Sequence, residues 1–394
     1  MDEKRINRNH ERLYWIDGLK GFFSITVVLC HLVCVFMPGL YDIHQSVNIF
    51  EKIWVSTPLN AITNGNTAVQ FFFFTSGLLV TRSVYIKCDN NAKGLQPFKK
   101  YFSFLRLVFP AVTFAFILMR FGLLFHQKAI ALDSTLIFAN GYNDFAPTIT
   151  TYLKEVFITP FIKNSISVAP LWTIQYEFWG TLVTTFVAYY VRKNNHNGPL
   201  MYLLVTIPLI MINGNYFGFM MGAIVFDICA NKDSGYDIIS RIVRLIEECK
   251  VVKVLLLLVG IYLACCNLQS VGMYSIFRII PQAAIVRVAG ISLFMLAIML
   301  LDGIKKILST EWLVRLGKLS AYIYIFHWPI ILSLGCGLFV AFYGKISYYV
   351  LIGLITMATL VTTLVLSCSY LKLSMCLDRV VAKLQLKKIK NGDI

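Results

Sequence analysis

Two side chains in the first apolar stretch are spaced to do chemistry. Trp15 to Met37 reads WIDGLKGFFSITVVLCHLVCVFM and holds Asp17, Lys20 and His31. Lys20 and His31 lie eleven residues apart. At about 100° per residue that is three helical turns to within about 20°, so one face carries both, about 16 Å apart along the axis. An imidazole can act as a base near neutral pH or carry an acyl group. A cation three turns away can hold an anionic part of a substrate, or pair with Asp17 three residues back. The plainer reading is that Lys20 snorkels to the interface and His31 bonds a neighbouring helix.

Other ionisable groups fall in apolar surroundings further along. Glu177 stands about six residues inside a segment that opens Pro170-Leu171-Trp172-Thr173-Ile174-Gln175-Tyr176-Glu177-Phe178. Counted from the helix middle it reaches the depth of His31, where a carboxylate would fix the imidazole tautomer. The plainer role is a bond to a backbone amide or to Trp172. His327 precedes Pro329, which predicts a kink, so His327 either binds substrate or satisfies the kinked backbone. Arg82 and Arg106 sit at the cytosolic ends of their segments, as flanking charges or as a clamp for phosphates. Ser76 is small enough to let helices approach closely, which explains it better than a nucleophile would.

These groups need a membrane-embedded helical frame. The chain has 394 residues, is 58% hydrophobic and 14% charged, and has a mean hydropathy of +0.70. Apolar runs of about 20 residues recur along its length, which predicts an all-α, polytopic integral membrane protein and excludes a sizeable soluble domain. The pattern predicts about ten transmembrane helices. They divide into a basic cytoplasmic segment over 1–14, a membrane domain over 15–371 and a basic cytoplasmic tail over 372–394. The net charge of +16 suits positive-inside orientation rather than nucleic acid, because Lys and Arg concentrate in segments expected to face the cytoplasm. Both termini are then cytoplasmic and 125–170 is external. An apolar stretch over 152–162, split by Pro160, is too short to span and reads as re-entrant or interfacial. The segment over 231–253 has an amphipathic pattern suited to the membrane surface. The N-terminus lacks the cleavage site of a signal peptide. Ten cysteines without metal-ligand spacing read as small buried hydrophobes, with no metal expected.

Five segments resemble, in order, the membrane acyltransferase-3 family. Ile16-Asp17-Gly18-Leu19-Lys20-Gly21 followed by His31 is similar to its first-helix signature of a basic residue, ten residues, then His. Gln70 to Arg82, reading QFFFFTSGLLVTR, and Leu105 to Pro110, reading LRLVFP, match its next two segments. In the second of these this chain keeps Arg106 and Pro110 but lacks the family's further arginines. Leu171 to Glu177 resembles "LWSLSVE", and Leu316 to Pro329 resembles "LG-x-[IL]-S-Y-x-[IL]-Y-L-x-H-x-P". The resemblance implies His31 as the catalytic residue, with Glu177 as its partner. It implies a site for acetyl-CoA and substrate drawn from Lys20, Asp17, Arg82, Arg106, Trp172 and His327.

The function implied is an O-acetyltransferase. It would move acetyl from cytosolic acetyl-CoA to a sugar hydroxyl of a surface polysaccharide or lipid-linked glycan, with no permanently bound cofactor. Its expected place is the cell membrane, the inner membrane in a bacterium. The fused C-terminal hydrolase-like domain of some family members is not expected. A homodimer is allowed and the sequence does not choose the oligomeric state. The competing class is a proton-coupled transporter lined by buried His and Glu, against which stands the absence of an inverted repeat or paired broken helices.

Overall fold

The computed structural model describes residues 12–89, 97–139, 148–194, 198–230, 246–267, 269 and 271–390. Those residues are predominantly helical, with no strand among them. The main helices are α1 (Tyr14–Phe36), α2 (Gly65–Asp89), α3 (Pro97–Arg120), α4 (Trp172–Asn194) and α5 (Gly198–Ile212). They continue with α6 (Tyr216–Ala230), α7 (Lys250–Ala264), α8 (Ala283–Leu300), α9 (Glu311–Ile330) and α10 (Tyr348–Lys390). Six are long and apolar enough to cross a membrane: α1, α2, α3, α8, α9 with its continuation to Phe342, and α10. The expected ten spans meet this number because the rest are shorter or more polar. α5, α6 and α7 are 15 residues each, about 22 Å against a hydrocarbon core of about 30 Å. α4 has the length but carries Gln175 and Glu177 in its first turns.

α1 is the axis of the bundle. Its apolar window is 67% buried, against 28% for both α3 and α10, so α1 is interior and those two are peripheral. One face, with Val28, Leu32, Val35 and Phe36, packs into a core shared with α9 and α10. The other, with Ile16, Leu19, Phe23 and Val27, packs on Phe71, Phe74 and Leu78 of α2 and Ile291 and Met295 of α8.

The kink expected at Pro329 takes the form of a wider turn. Proline offers no N–H to the carbonyl one turn back. Directly after it, Ile331–Gly335 is π-helical, and the chain resumes as α-helix over Cys336–Phe342. The Leu332 carbonyl in this turn accepts from the Phe125 amide of the segment after α3 (2.9 Å). The apolar stretch expected over 152–162 forms two short helices, Ile149–Phe157 and Thr159–Ile162. Most of the expected surface segment over 231–253 lies outside the described residues. α10 does not stop at the expected membrane edge near Leu371 but continues unbroken to Lys390.

The orientation expected from the charge pattern makes a direct prediction. Lys163 and Lys306 are both exposed. On a cysteine-free background, Lys163→Cys is expected to react with an impermeant maleimide in intact cells, and Lys306→Cys only after lysis. The opposite pattern would invert the topology.

Candidate functional site

The site forms where α1 crosses α9. The crossing is close because glycines remove the side chains between the two backbones. A Cβ added at Gly317 of α9 would sit 1.9 Å from the Asp17 carbonyl oxygen, and one at Gly21 of α1 would sit 2.8 Å from the Gly317 nitrogen. No other residue fits there without moving a helix. Higher along the same interface this approach brings two imidazoles together. The His31 and His327 ring centroids are 4.9 Å apart, and Trp328 stands edge-on to His31 at 5.3 Å.

The hydrogen bonds fix both tautomers. His31 Nδ1 is 3.0 Å from the Val27 carbonyl oxygen, and His327 Nδ1 is 3.1 Å from that of Ile323. A carbonyl only accepts, so each neutral ring carries its proton on Nδ1. His327 Nε2 is then a lone pair, and it lies 3.1 Å from His31 Nδ1, where it shares that N–H with Val27. His31 Nε2 keeps its lone pair and has no hydrogen-bond partner among the described residues. His31 lines a pocket of about 120 Å³ with Cys30, Cys34, Tyr41, Asn66, Trp172 and Tyr324. His327 itself is fully buried.

A second, larger cavity of about 460 Å³ lies beside the first. Its apolar wall includes Phe72, Phe73, Phe104 and Leu107. Its polar groups include Lys20, Lys100, Glu177 and the hydroxyls of Ser76, Ser83, Ser103, Thr173, Thr181 and Ser320. Ser76 Oγ donates to Glu177 Oε1 (3.1 Å), and both Lys100 and Lys20 act on the Glu177 carboxylate electrostatically. Val69 and Tyr324 line both cavities. Tyr324 is tied to the start of α4: its hydroxyl donates to the Pro170 carbonyl oxygen (3.0 Å) and lies 3.1 Å from Thr173 Oγ1.

The start of α4 is itself held by a buried carboxylate. Glu155 Oε2 accepts from Ser165 Oγ (2.6 Å), Ser167 Oγ (2.9 Å) and the amides of Ile166 (3.1 Å) and Ser167 (3.2 Å). These bonds pin the loop that delivers Ala169, Pro170 and Trp172 over the His31 pocket. Charge-assisted bonds of this kind are the stronger ones.

A family model described as an acyltransferase domain matches residues 13–372. The chain belongs to the acyltransferase-3 family. Nothing matches among curated proteins, and nothing among solved structures. The match ends within α10, so it covers the helical bundle from α1 onward.

Within this acyltransferase domain the residues expected to form the site divide into those that line the cavities and those that do not. His31 and Trp172 line the smaller cavity, Lys20 and Glu177 the larger, and His327 backs His31. His31 pairs with His327, and the expected partnership with Glu177 is not formed. α4 starts at Trp172, already level with His31, so Glu177 five residues on lies about 7.5 Å further toward the Lys20 end. Asp17 bonds Arg12 (2.8 Å), not Lys20. Lys20 has no hydrogen bond or ion pair among the described residues, which leaves its ammonium for a ligand. Arg82 is not part of either cavity wall. Arg106 points away, because its guanidinium bonds Asp378 (2.6 Å) and Ser374 (3.3 Å) of α10. It staples two peripheral helices instead of clamping phosphates. Ser76 holds Glu177 as well as sitting beside Gly77, where a Cβ would meet the Phe219 carbonyl oxygen at 2.0 Å. Among the described residues no three of His, Cys, Asp and Glu stand together as a metal site requires.

Tyr324, Thr173 and Lys100 are site residues that sequence reasoning passed over. Tyr324 precedes His327 by three residues, which puts it on the same helical face. Lys100 falls in the stretch 87–101 that reads as a basic loop, whereas α3 starts earlier, at Pro97, and carries Lys100 into the cavity.

Proposed function

We propose that the protein is a membrane O-acetyltransferase that takes acetyl from cytosolic acetyl-CoA and places it on a sugar hydroxyl of a surface polysaccharide or lipid-linked glycan. The observation that carries this reading is the pair of cavities on either side of Tyr324. One holds two lysines at the end that the charge pattern turns to the cytosol. The other holds a free imidazole lone pair toward the outside. The pantetheine arm of the donor fits the apolar wall of the larger cavity, with Lys20 and Lys100 on the side of the CoA phosphates. Glu177, held by Ser76, adds a carboxylate to the same cavity as the two lysines. The acceptor hydroxyl enters from the outer side. His31 Nε2 takes its proton as the oxygen attacks the thioester carbon, the carbon–sulfur bond breaks, and the proton ends on the CoA thiol. The alternative step is covalent: Nε2 attacks the thioester carbon and the carbon–sulfur bond breaks to release the CoA thiolate, then the sugar hydroxyl takes acetyl from the imidazole and its proton ends on the CoA thiolate.

The test is chemical. Deleting the gene is expected to abolish acetate released by mild alkali from the cell's surface glycan, and purified protein is expected to restore it with labelled acetyl-CoA. Unchanged ester content in deleted cells would overturn the reading. The donor end has its own prediction. Lys20→Ala is expected to weaken acetyl-CoA binding by about 10- to 150-fold, the loss of one charge-assisted contact of about 1.5–3 kcal/mol. Lys20→Arg keeps charge and reach and retains most of the affinity. Calorimetry on the purified variants checks both, and unaltered binding in Lys20→Ala removes Lys20 from the site.

A further inference from the structure

The two cavities have only two wall residues in common, Val69 of α2 and Tyr324 of α9. An acyl group carried in the larger cavity must pass between them to reach His31. The passage is fixed on both sides. Val69 is nearly buried in the packing of α2, and the Tyr324 ring is held edge-on against Phe72 (6.2 Å between centroids) and by its hydroxyl on Pro170 and Thr173. Beyond the passage there is little room. The His31 pocket, at about 120 Å³, is the smaller of the two by a wide margin and is lined on one side by Tyr324 and Val69. The larger cavity, at about 460 Å³, has no such restriction.

We infer that Val69 and Tyr324 form the constriction that limits the transferred acyl group to a short chain, with selection at the transfer step and not at donor binding. The inference rests on the acyltransferase reading and adds what sets its acyl specificity. A longer acyl-CoA docks in the larger cavity, but its carbonyl carbon cannot advance to His31 because the extra methylenes ahead of it find no room in the smaller pocket. Longer donors should therefore bind and compete, yet transfer poorly. Tyr324 and Val69 act here as specificity-determining residues that meet the acyl chain, and they take no part in the proton transfer.

The experiment uses the purified full chain, membranes from cells lacking the gene as glycan acceptor, and acetyl-, propionyl-, butyryl- and hexanoyl-CoA. Released CoA is quantified by chromatography. Wild type is expected to transfer acetyl well and butyryl poorly, with butyryl-CoA acting as a competitive inhibitor of acetyl transfer. Tyr324→Ala is expected to raise the butyryl-to-acetyl ratio of kcat/KM by at least about 10-fold, since one methylene in a fitted apolar pocket is worth about 10- to 200-fold. Val69→Ala opens the passage from the other side and should shift the ratio the same way, which keeps the test intact where Tyr324→Ala does not fold. Tyr324→Phe keeps the ring and should leave the ratio near that of wild type. If wild type transfers acetyl while both alanine variants keep its ratio, the constriction is refuted and the acyltransferase reading stands. A Tyr324→Phe shift as large as that of Tyr324→Ala would also refute it, because ring bulk would not be the cause. If wild type transfers no acyl group from any donor, the functional reading fails and the inference with it.

Discussion

His31→Gln and His31→Ala are both expected to abolish glycan acetylation, with kcat reduced by about 10³-fold or more. General acid–base catalysis contributes about 10²- to 10⁴-fold, and loss of a nucleophile costs no less. Glutamine keeps the size of the ring and can still donate to Val27 and His327, so the local packing survives. What it lacks is a basic nitrogen where His31 Nε2 stands. Donor binding should be unchanged, because Lys20 lies about 16 Å along α1 from His31. The measurement is acetyl transfer to glycan at matched protein abundance, with acetyl-CoA affinity measured in parallel. Wild-type transfer by His31→Gln would sink the mechanism and return the buried imidazoles to a proton-transport role. The same preparation separates the two chemical routes. Mixing wild-type enzyme with labelled acetyl-CoA and no acceptor releases a burst of up to one CoA per site if an acetyl-imidazole forms. Direct transfer gives no burst.

What was legible in the sequence, and what was not, follows from which interactions are local. Lys20 and His31 share a face because helical periodicity alone puts them there, and periodicity is fixed by the backbone. The same holds for Tyr324 and His327 on α9. Which faces meet is a different matter. The meeting of His31 with His327 depends on the crossing of α1 and α9, and that crossing is set by backbone contact at Gly21 and Gly317, residues nearly 300 positions apart. Glycine spacing signals that some helix approaches, but not which one. Glu177 shows the limit of depth arguments. Counting from the helix middle assumes that every helix starts at the membrane surface. α4 starts beneath the loop held by Glu155, so its residues lie deeper than the count implies. Arg106 shows the limit of charge arguments. A basic residue at a cytosolic helix end satisfies the positive-inside rule wherever it points, and here it points to Asp378 on α10.

Replacing His327 is expected to lower kcat by about 10²- to 10³-fold with little change in the KM for acetyl-CoA. The argument starts from the shared N–H. His327 Nε2 accepts from His31 Nδ1 at 3.1 Å, and Ile323 holds His327 in the tautomer that can do so. That bond keeps the His31 proton on Nδ1 and so keeps the lone pair on Nε2, on the side of the pocket. It also acts during the reaction. When Nε2 takes the acceptor proton, the ring becomes a cation in an apolar surround that includes Trp328, and the His327 lone pair is a polar group facing it. A catalytic histidine left without the partner that orients it loses up to about 10⁴-fold in kcat where the partner is a carboxylate, and a neutral partner should be worth less. His327→Ala removes the acceptor and also empties a fully buried site, so it tests packing and orientation together. His327→Gln separates them, because its amide oxygen can still accept from His31 Nδ1–H while the ring is gone. Partial recovery of kcat in His327→Gln over His327→Ala, at equal thermal stability and equal donor KM, assigns His327 to orienting His31. Equal kcat in the two variants, tracking only their stability, would leave His327 as a packing residue of the α9 turn before Pro329.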